Sequence, residues 1–498
     1  MLESWLLIYE RGVSVMNFLK MYFYIALCLL PISLAYAGWS EETRLTFSRT
    51  EFHPQVITRG DTIHVVSYNA DYISYLRSTD GGATWDSLIN LSEEEHIVVY
   101  PDISLGENGL LVSWQDRDHL DHVAYTTSVD GSNWTPPVHL NTQFLAHLHE
   151  PASTVKGDSI FISYFAYAND STGEQPLRLL SSYDYGQNWN PEVTICYPHS
   201  TQQTFILKYC GSALLLVKAG FVDTLHSGYH VVGYRSEDAG RTWSDLIWIS
   251  PEQLYSSQSP CVACNDETGQ IAVGYTDYRF QEYAFFGDIF IAISDDEGLT
   301  WPREVRATQY PTATFPTIDY IGDTLMAAWS DRRFGSPNPR EIFLNRSNDN
   351  GAAWLGEARL TDNLYLSTEP WLTFENSKIH VTWRQDEAYG YSDIYYKQFD
   401  PSITDISEVP ETLPETFFLM AYPNPFNSTL EISITTFYPG VLSIYDILGR
   451  LVKAANYDEG KSSLIWDTSE NNLSTGVYFL RLEGGDGVSY TKSVLYLK

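Results

Sequence analysis

An all-β fold is what this 498-residue sequence predicts: a closed array of four-stranded units followed by a small β domain. Three observations predict it. A turn motif with Ser, Asp, Gly and Trp at nearly fixed offsets returns six times between residues 78 and 354. Aromatic residues abound, with 14 Trp, 35 Tyr and 23 Phe against 30 Lys and Arg, a balance that suits short strands better than long surface helices. Beyond residue 416 the repeat stops, and short alternating strands bounded by Gly, Pro and Asn take over.

The repeat comes first. It reads Ser78-Thr79-Asp80-Gly81-Gly82-Ala83-Thr84-Trp85 at its first occurrence, and its later copies centre on Asp130, Asp184, Asp238, Asp296 and Asp349. Successive Asp residues lie 50, 54, 54, 58 and 53 positions apart, and a period near fifty means a stacked or circular array of one supersecondary unit. The motif has the chemistry of a turn: Asp accepts backbone N–H groups, Gly supplies a positive φ, and Trp packs the turn onto neighbouring strands.

Around each turn the unit has four strands. The first unit gives 55–59, 62–68, 73–77 and 85–91, with Ile63, Val65 and Ser67 alternating against His64 and Val66. Units begin near Pro54, Pro101, Pro151, Thr204, Pro260, Pro316 and Pro370, which favours seven blades, with six the alternative. The seventh lacks the turn motif and a fourth strand. Trp39 through Arg44-Leu45-Thr46 aligns with Trp354 through Arg359-Leu360-Thr361, so the N-terminal segment is expected to supply that strand and close the ring.

The six turns resemble the Asp box of the sialidase superfamily, and residues 38–400 are identified on that basis as an Asp-box (BNR-repeat) β-propeller. The resemblance implies that Asp80, Asp130, Asp184, Asp238, Asp296 and Asp349 are structural and lie away from the active face. It also implies a site with three arginines gripping a carboxylate, a Tyr–Glu nucleophile pair and an Asp acid/base. This chain departs from that pattern: sialidases usually have six blades, and their first arginine falls in a stretch that here reads Phe52-His53-Pro54.

In a propeller, the loops entering the first strand of each unit and those joining its second and third strands share one face. The former carry His53, Tyr100, His147, His149, Glu150, Ser259, Phe315 and Glu369. The latter carry Asp71, Asp116-Arg117, Asp277-Tyr278-Arg279, Asp331-Arg332-Arg333 and Arg384-Gln385-Asp386. Aromatic faces stack on sugar C–H surfaces and arginine grips carboxylates, so the ligand-binding candidates are Arg117, Arg279, Arg332, Arg384, His53 and His149. The catalytic candidates are Glu369, paired with Tyr391 or Tyr389, and Asp71. The recurring aromatic–Asp–Arg pattern has a plainer reading, an ion pair tying each blade to its neighbour. His147 and His149 share one face of an extended segment, but no third ligand accompanies them, so no metal site and no cofactor are expected.

Residues 401–416 form a linker rich in Pro, Glu and Thr. After it come Ala421 to Asn427, Leu442 to Val452 with Tyr445-Asp446 and Gly449-Arg450, and Gly476 to Leu482, consistent with a small Ig-like β-sandwich over 417–498. These motifs resemble, in order, the C-terminal sorting domain of type IX secretion substrates, which implies contact with that secretion machinery.

Residues 1–37 read as a signal peptide, with Lys20 before the apolar 21–34 and Ala35-Tyr36-Ala37 as cleavage site; Met16 is an alternative start. No transmembrane segment is expected in the mature chain. A net charge of −33 repels phosphates and anionic membranes and argues against nucleic acid as a partner. Cys196, Cys210, Cys261 and Cys264 are too few for a disulfide scaffold and read as buried small residues with at most one bridge. The expected function is a secreted or cell-surface, sialidase-like propeller that binds glycan or protein. The alternatives are a glycoside hydrolase of the exo-sialidase class and a structural surface scaffold.

Overall fold

A computed structural model describes residues 39–399 and 418–496, apart from short segments that include 118–121, 141–147, 167–175, 198–203, 223–227, 281–286, 334–339 and 388–390. The signal peptide and the linker expected over 401–416 lie outside the described residues. Every regular element among them is a strand, so none is a helix long and apolar enough to cross a membrane.

Residues 39–399 form seven four-stranded antiparallel sheets, each built from consecutive strands except one. The innermost strands are Phe52–Arg59, Val98–Gly106, Leu148–Lys156, Thr204–Cys210, Ser257–Asn265, Ala313–Ile321 and Leu366–Glu375. Each packs against the innermost strands of both neighbours, and the last packs against the first, so the sheets make a closed ring. Because each sheet is covered on both faces, its second strand is largely buried, and every residue of Gly109–Asp116 and of Ala213–Gly220 is enclosed. That is why the apolar runs of the second strands alternate so little.

The seventh sheet is the exception to chain order. Its outer strand is Thr43–Arg44, which pairs with Tyr391–Phe399 through Thr43↔Tyr396 and Arg44↔Tyr395, with Trp39 bridging Phe399. The alignment of Trp39 with Trp354 anticipates this closure. Both strands end in the same Arg-Leu-Thr clasp. Thr361 and Arg359 donate to Glu341 in the sixth sheet, and Thr46 and Arg44 donate to Asp393 in the seventh.

In the Asp turns, Asp80 Oδ1 accepts the Thr84 N–H at 2.8 Å, while the Ser78 hydroxyl accepts the Gly82 N–H at 2.8 Å. The serine and the aspartate thus share the orphan donors, and the other five turns repeat this pairing. Gly82 sits at φ +89°, and a Cβ there would lie 2.7 Å from the Tyr396 hydroxyl of the preceding sheet, so glycine is required twice over. Trp85 meets the same Tyr396 edge-on at 5.0 Å, and Trp134 and Trp189 meet Tyr75 and Tyr125 likewise. The turn of each of these sheets is thereby docked on the sheet before it.

Two of these docking tyrosines are hydrogen-bonded to histidine: His64 Nδ1 lies 2.6 Å from the Tyr75 hydroxyl, and His380 Nδ1 lies 2.8 Å from that of Tyr396. Burial, helped by nearby cations, pushes both imidazoles down from 6.5 to about 4. Between those values the unfolded chain takes up protons that the folded chain refuses, so stability falls with pH across that window, by up to about 3 kcal/mol per histidine. Thermal unfolding of wild type at neutral pH and near pH 4.5 should show this loss, and a His64→Gln, His380→Gln protein should show a smaller one. An equal loss in both proteins would place the acid sensitivity elsewhere.

Residues 418–496 form a three-stranded and a four-stranded sheet that share one core, including Leu430, Ile432, Trp466, Tyr478 and Leu480. The Tyr445-Asp446 to Gly449-Arg450 motif is a turn: Asp446 accepts from the Arg450 backbone N–H at 2.9 Å, and Gly449 has φ +75°.

Candidate functional site

Proline shapes this site. In six of the seven innermost strands the register slips by a β-bulge at an X–Pro step, as at Phe52/Gln55, Val99/Asp102 and Thr368/Trp371. Proline has no N–H to give the ladder, and a bulge is where a strand tolerates it. The fourth strand, Thr204–Cys210, has no proline and runs in continuous register. Residues expected in loops therefore lie inside strands, which is a correction with a simple cause: the proline displaces the register without ending the strand.

The residue before proline takes a left-handed backbone in five of these bulges. His53, Tyr100, Ser259, Phe315 and Glu369 have φ of 49°, 55°, 53°, 54° and 53°. Such a conformation costs a non-glycine residue about 1–2 kcal/mol, and its repetition at one level of the ring marks a device that turns side chains toward the opening. The antiparallel order puts this level at the end of the ring opposite the Asp turns.

Around the first and seventh sheets these residues converge. The His53 ring stacks on Tyr68 at 5.7 Å and meets Tyr100 edge-on at 5.4 Å, while Tyr68 also lies 5.7 Å from Phe52. Glu369 accepts the His53 backbone N–H at 3.2 Å and a bond from Arg384 at 2.6 Å. Arg384 also holds Asp386 in a two-pronged pair at 2.8 and 3.1 Å and lies over Phe52. The His53 side chain is half exposed, yet the surrounding walls hold its imidazole below the ordinary value; Arg384 adds to this and Glu369 opposes it. Burial, then Tyr100 and Glu369, hold the Tyr68 phenol up at about 12, with Arg117 and Arg384 working the other way. Arg117 itself is exposed.

Next to this cluster stands a second cation group. Arg340 lies over Phe315 at 5.8 Å and donates to Thr368. Burial, and after it the charges of Arg332 and Arg384, hold its guanidinium below the ordinary range, while Glu369 and Asp386 pull the other way.

The remaining candidates separate. Arg279 is bound by Asp277 at 2.7 and 2.9 Å and by Glu304 at 2.7 and 2.8 Å, with Phe290 beneath it at 4.0 Å. Arg333 makes the same tie to Asp331 and Glu357 over Phe343. In the second sheet His139 takes this place on Asp116 at 2.8 Å. The tie therefore joins the second strand of a sheet to its own fourth strand, not one blade to the next, and it commits Arg279 to the scaffold. Arg332, the sequence neighbour of Arg333, lies close enough to Arg340 for its charge to act on that guanidinium. Tyr391 has the Arg49 guanidinium over its ring at 5.2 Å, and Asp71 is exposed in the turn after Asn69. His147 and Tyr389 lie outside the described residues, as do the side chains of His149 and Glu150. Among the described residues no three His, Cys, Asp or Glu side chains converge as metal ligands.

Residues that the sequence reading missed are Tyr68, Phe52 as a stacking partner, and Arg340. Their signal is positional: each lies at or beside the end of a strand at the level of the bulges, where no repeated motif marks it.

Residues 420–496 match the family described as the secretion system C-terminal sorting domain. The chain is thus exported, to the cell surface or beyond. No curated protein matches the sequence. Among solved structures, an α-L-arabinanase of Penicillium chrysogenum is similar with 13% identity over 71% of this chain and 99% of its own, at a TM-score of 0.47. A Trypanosoma rangeli sialidase shares 9% identity over 92% and 89%, at 0.43. The polysaccharide lyase Uly1 shares 8% over 70% and 89%, at 0.48. Likenesses of this strength say nothing about activity, which belongs to the site.

Proposed function

We propose that this secreted propeller binds an anionic carbohydrate at the bulged end of its ring. The observation that carries the reading is the convergence there of stacking rings, Phe52, Tyr68, Tyr100 and Phe315, with Arg332 and Arg340, beside an Arg384 that Glu369 and Asp386 already hold. Aromatic faces cover the apolar side of a sugar, and guanidinium groups hold its carboxylate or sulfate. In a chain with 63 acidic and 30 basic residues, arginines gathered at one opening mark the sign of the ligand. Export by the sorting domain supports an extracellular ligand.

Hydrolysis by two carboxyl groups, the glycosidase alternative, has less support. That chemistry needs one carboxyl to hold a proton beside the glycosidic oxygen and another free to act as base or nucleophile. Glu369 and Asp386 are instead both tied to one guanidinium, that of Arg384, which occupies oxygens that such a pair would turn to the glycosidic bond.

A glycan array probed with the full-length protein tests the reading. Carboxylated or sulfated glycans should be retained over their neutral counterparts, and Arg340→Ala should weaken retention about tenfold or more, in line with a lost charge-assisted contact. Equal retention of neutral glycans, or none of any glycan, would sink it.

A further inference from the structure

We propose that the secretion machinery grips the folded sorting domain by the outer face of its four-stranded sheet. An apolar row of Leu451, Tyr445 and Phe479 on that face fits a partner surface with an apolar centre and an acidic rim.

Strand alternation decides which residues point where. The sheet consists of Leu451–Tyr457, Gly440–Asp446, Gly476–Gly484 and Ser489–Tyr496, in that order. Leu442, Ile444, Tyr478, Leu480 and Leu482 turn inward and belong to the core shared with the three-stranded sheet. The residues between them turn outward. The register sets Leu451 opposite Tyr445, and Tyr445 opposite Phe479, so three strands each bring one apolar residue into a single row. Val477 stands two residues from Phe479 on the same face, and Ile447 lies just past Tyr445 in the turn. Leu451 is 58% exposed and Ile447 72%, with Phe479 and Val477 each a little over a third.

Folding accounts for the rest of these two motifs but not for the row. Asp446, Gly449 and Arg450 make the turn, and Tyr478, Leu480 and Leu482 fill the core. A sheet face turned to water needs no apolar side chain, and apolar residues gathered on an exposed face mark a contact surface. Tyr445 and Phe479 stand side by side only once the sheet has formed. The feature recognised is therefore the folded sheet, not a linear tag.

The rim gives the partner its sign. Arg450, paired with Asp446, is exposed beside Leu451, and Arg481 is exposed on the outer face two residues from Phe479. Residues 418–498 nearly balance their acidic and basic side chains, whereas the whole chain has 63 against 30. This domain can approach an acidic-rimmed surface that repels the rest of the chain.

The test is export of the full-length chain by a bacterium that has this secretion system, comparing protein outside the cell with protein held in the envelope. Leu451→Asp and Phe479→Asp should each cut the exported fraction about tenfold or more, as loss of an interface anchor does. Arg481→Glu should cut it by less. Ile465→Asp is the control: Ile465 is 67% exposed on the outer face of the three-stranded sheet, and its variant should be exported like wild type. Purified, all four variants should unfold at the wild-type midpoint, since each replaces an exposed side chain. Unimpaired export of Leu451→Asp and Phe479→Asp, or an equal loss in Ile465→Asp, would overturn the proposal. So would binding of the wild-type chain to vesicles of phosphatidylethanolamine and phosphatidylglycerol that Phe479→Asp abolishes while its export persists, which would make the row a lipid-facing surface.

Discussion

Replacing Arg44 by alanine is expected to cost about 3–5 kcal/mol of propeller stability, the range for stripping one partner from a buried ion pair. Arg44 pairs with Asp393, a carboxylate with no exposed surface, and the other groups on Asp393 are the Thr46 hydroxyl and the Arg49 N–H. Without the guanidinium that charge stays buried. Its neighbour Glu51 is equally enclosed and held by Ser67, Ser74 and Ser48; burial raises its pKa against those bonds, and the nearby Asp393 charge adds a smaller push. Asp393→Asn removes the charge together with its partner's need and should cost less, about 1–3 kcal/mol. Deleting residues 39–48 removes the whole outer strand and bares the edge Tyr391–Phe399, so the ring should lose its cooperative transition. Urea unfolding of the three proteins checks the order. An Arg44→Ala protein within about 1 kcal/mol of wild type would mean that this clasp does not hold the ring closed.

The second large effect is expected from Cys210 and Cys264. They are disulfide-bonded, with Cα atoms 5.5 Å apart, and stitch the innermost strand of the fourth sheet to that of the fifth. Their separation of 54 residues corresponds to about 4 kcal/mol of loop-closure entropy removed from the unfolded chain. An exported protein meets conditions in which such a bond persists. Reduction, or Cys210→Ser with Cys264→Ser, should therefore lower the unfolding midpoint sharply, whereas Cys196→Ser should leave it nearly unchanged. A midpoint indifferent to reductant would show that the bridge contributes nothing.

The ring was legible because its determinants are local and recur. Ser, Asp, Gly and Trp at one turn of six of the seven units satisfy orphan backbone groups and pack the turn down, so the same residues reappear at each of those periods. The closing strand was legible for the same reason, since Trp39 to Thr46 repeats Trp354 to Thr361. The site was legible only in part. The residues before each proline were picked out, but not that they sit inside strands with a left-handed backbone, because a proline's effect on register depends on the partner strand. Which arginine of Asp331-Arg332-Arg333 serves the scaffold was hidden, since the choice is set by Glu357 on a distant strand. Tyr68 and Arg340 were missed because convergence around a ring leaves no trace in spacing along the chain.

The central claim, that ligand is bound at the bulged end, is tested most directly by comparing the two ends of one molecule. Phe315→Ala alters an exposed ring at the opening, and Leu299→Ala alters an exposed side chain in an Asp turn at the opposite end. Titrating wild type and both variants with the best-retained glycan should show binding weakened about tenfold or more, roughly 1.4 kcal/mol, in Phe315→Ala and unchanged in Leu299→Ala. Weakening in Leu299→Ala with none in Phe315→Ala would put the ligand at the other end and contradict the account.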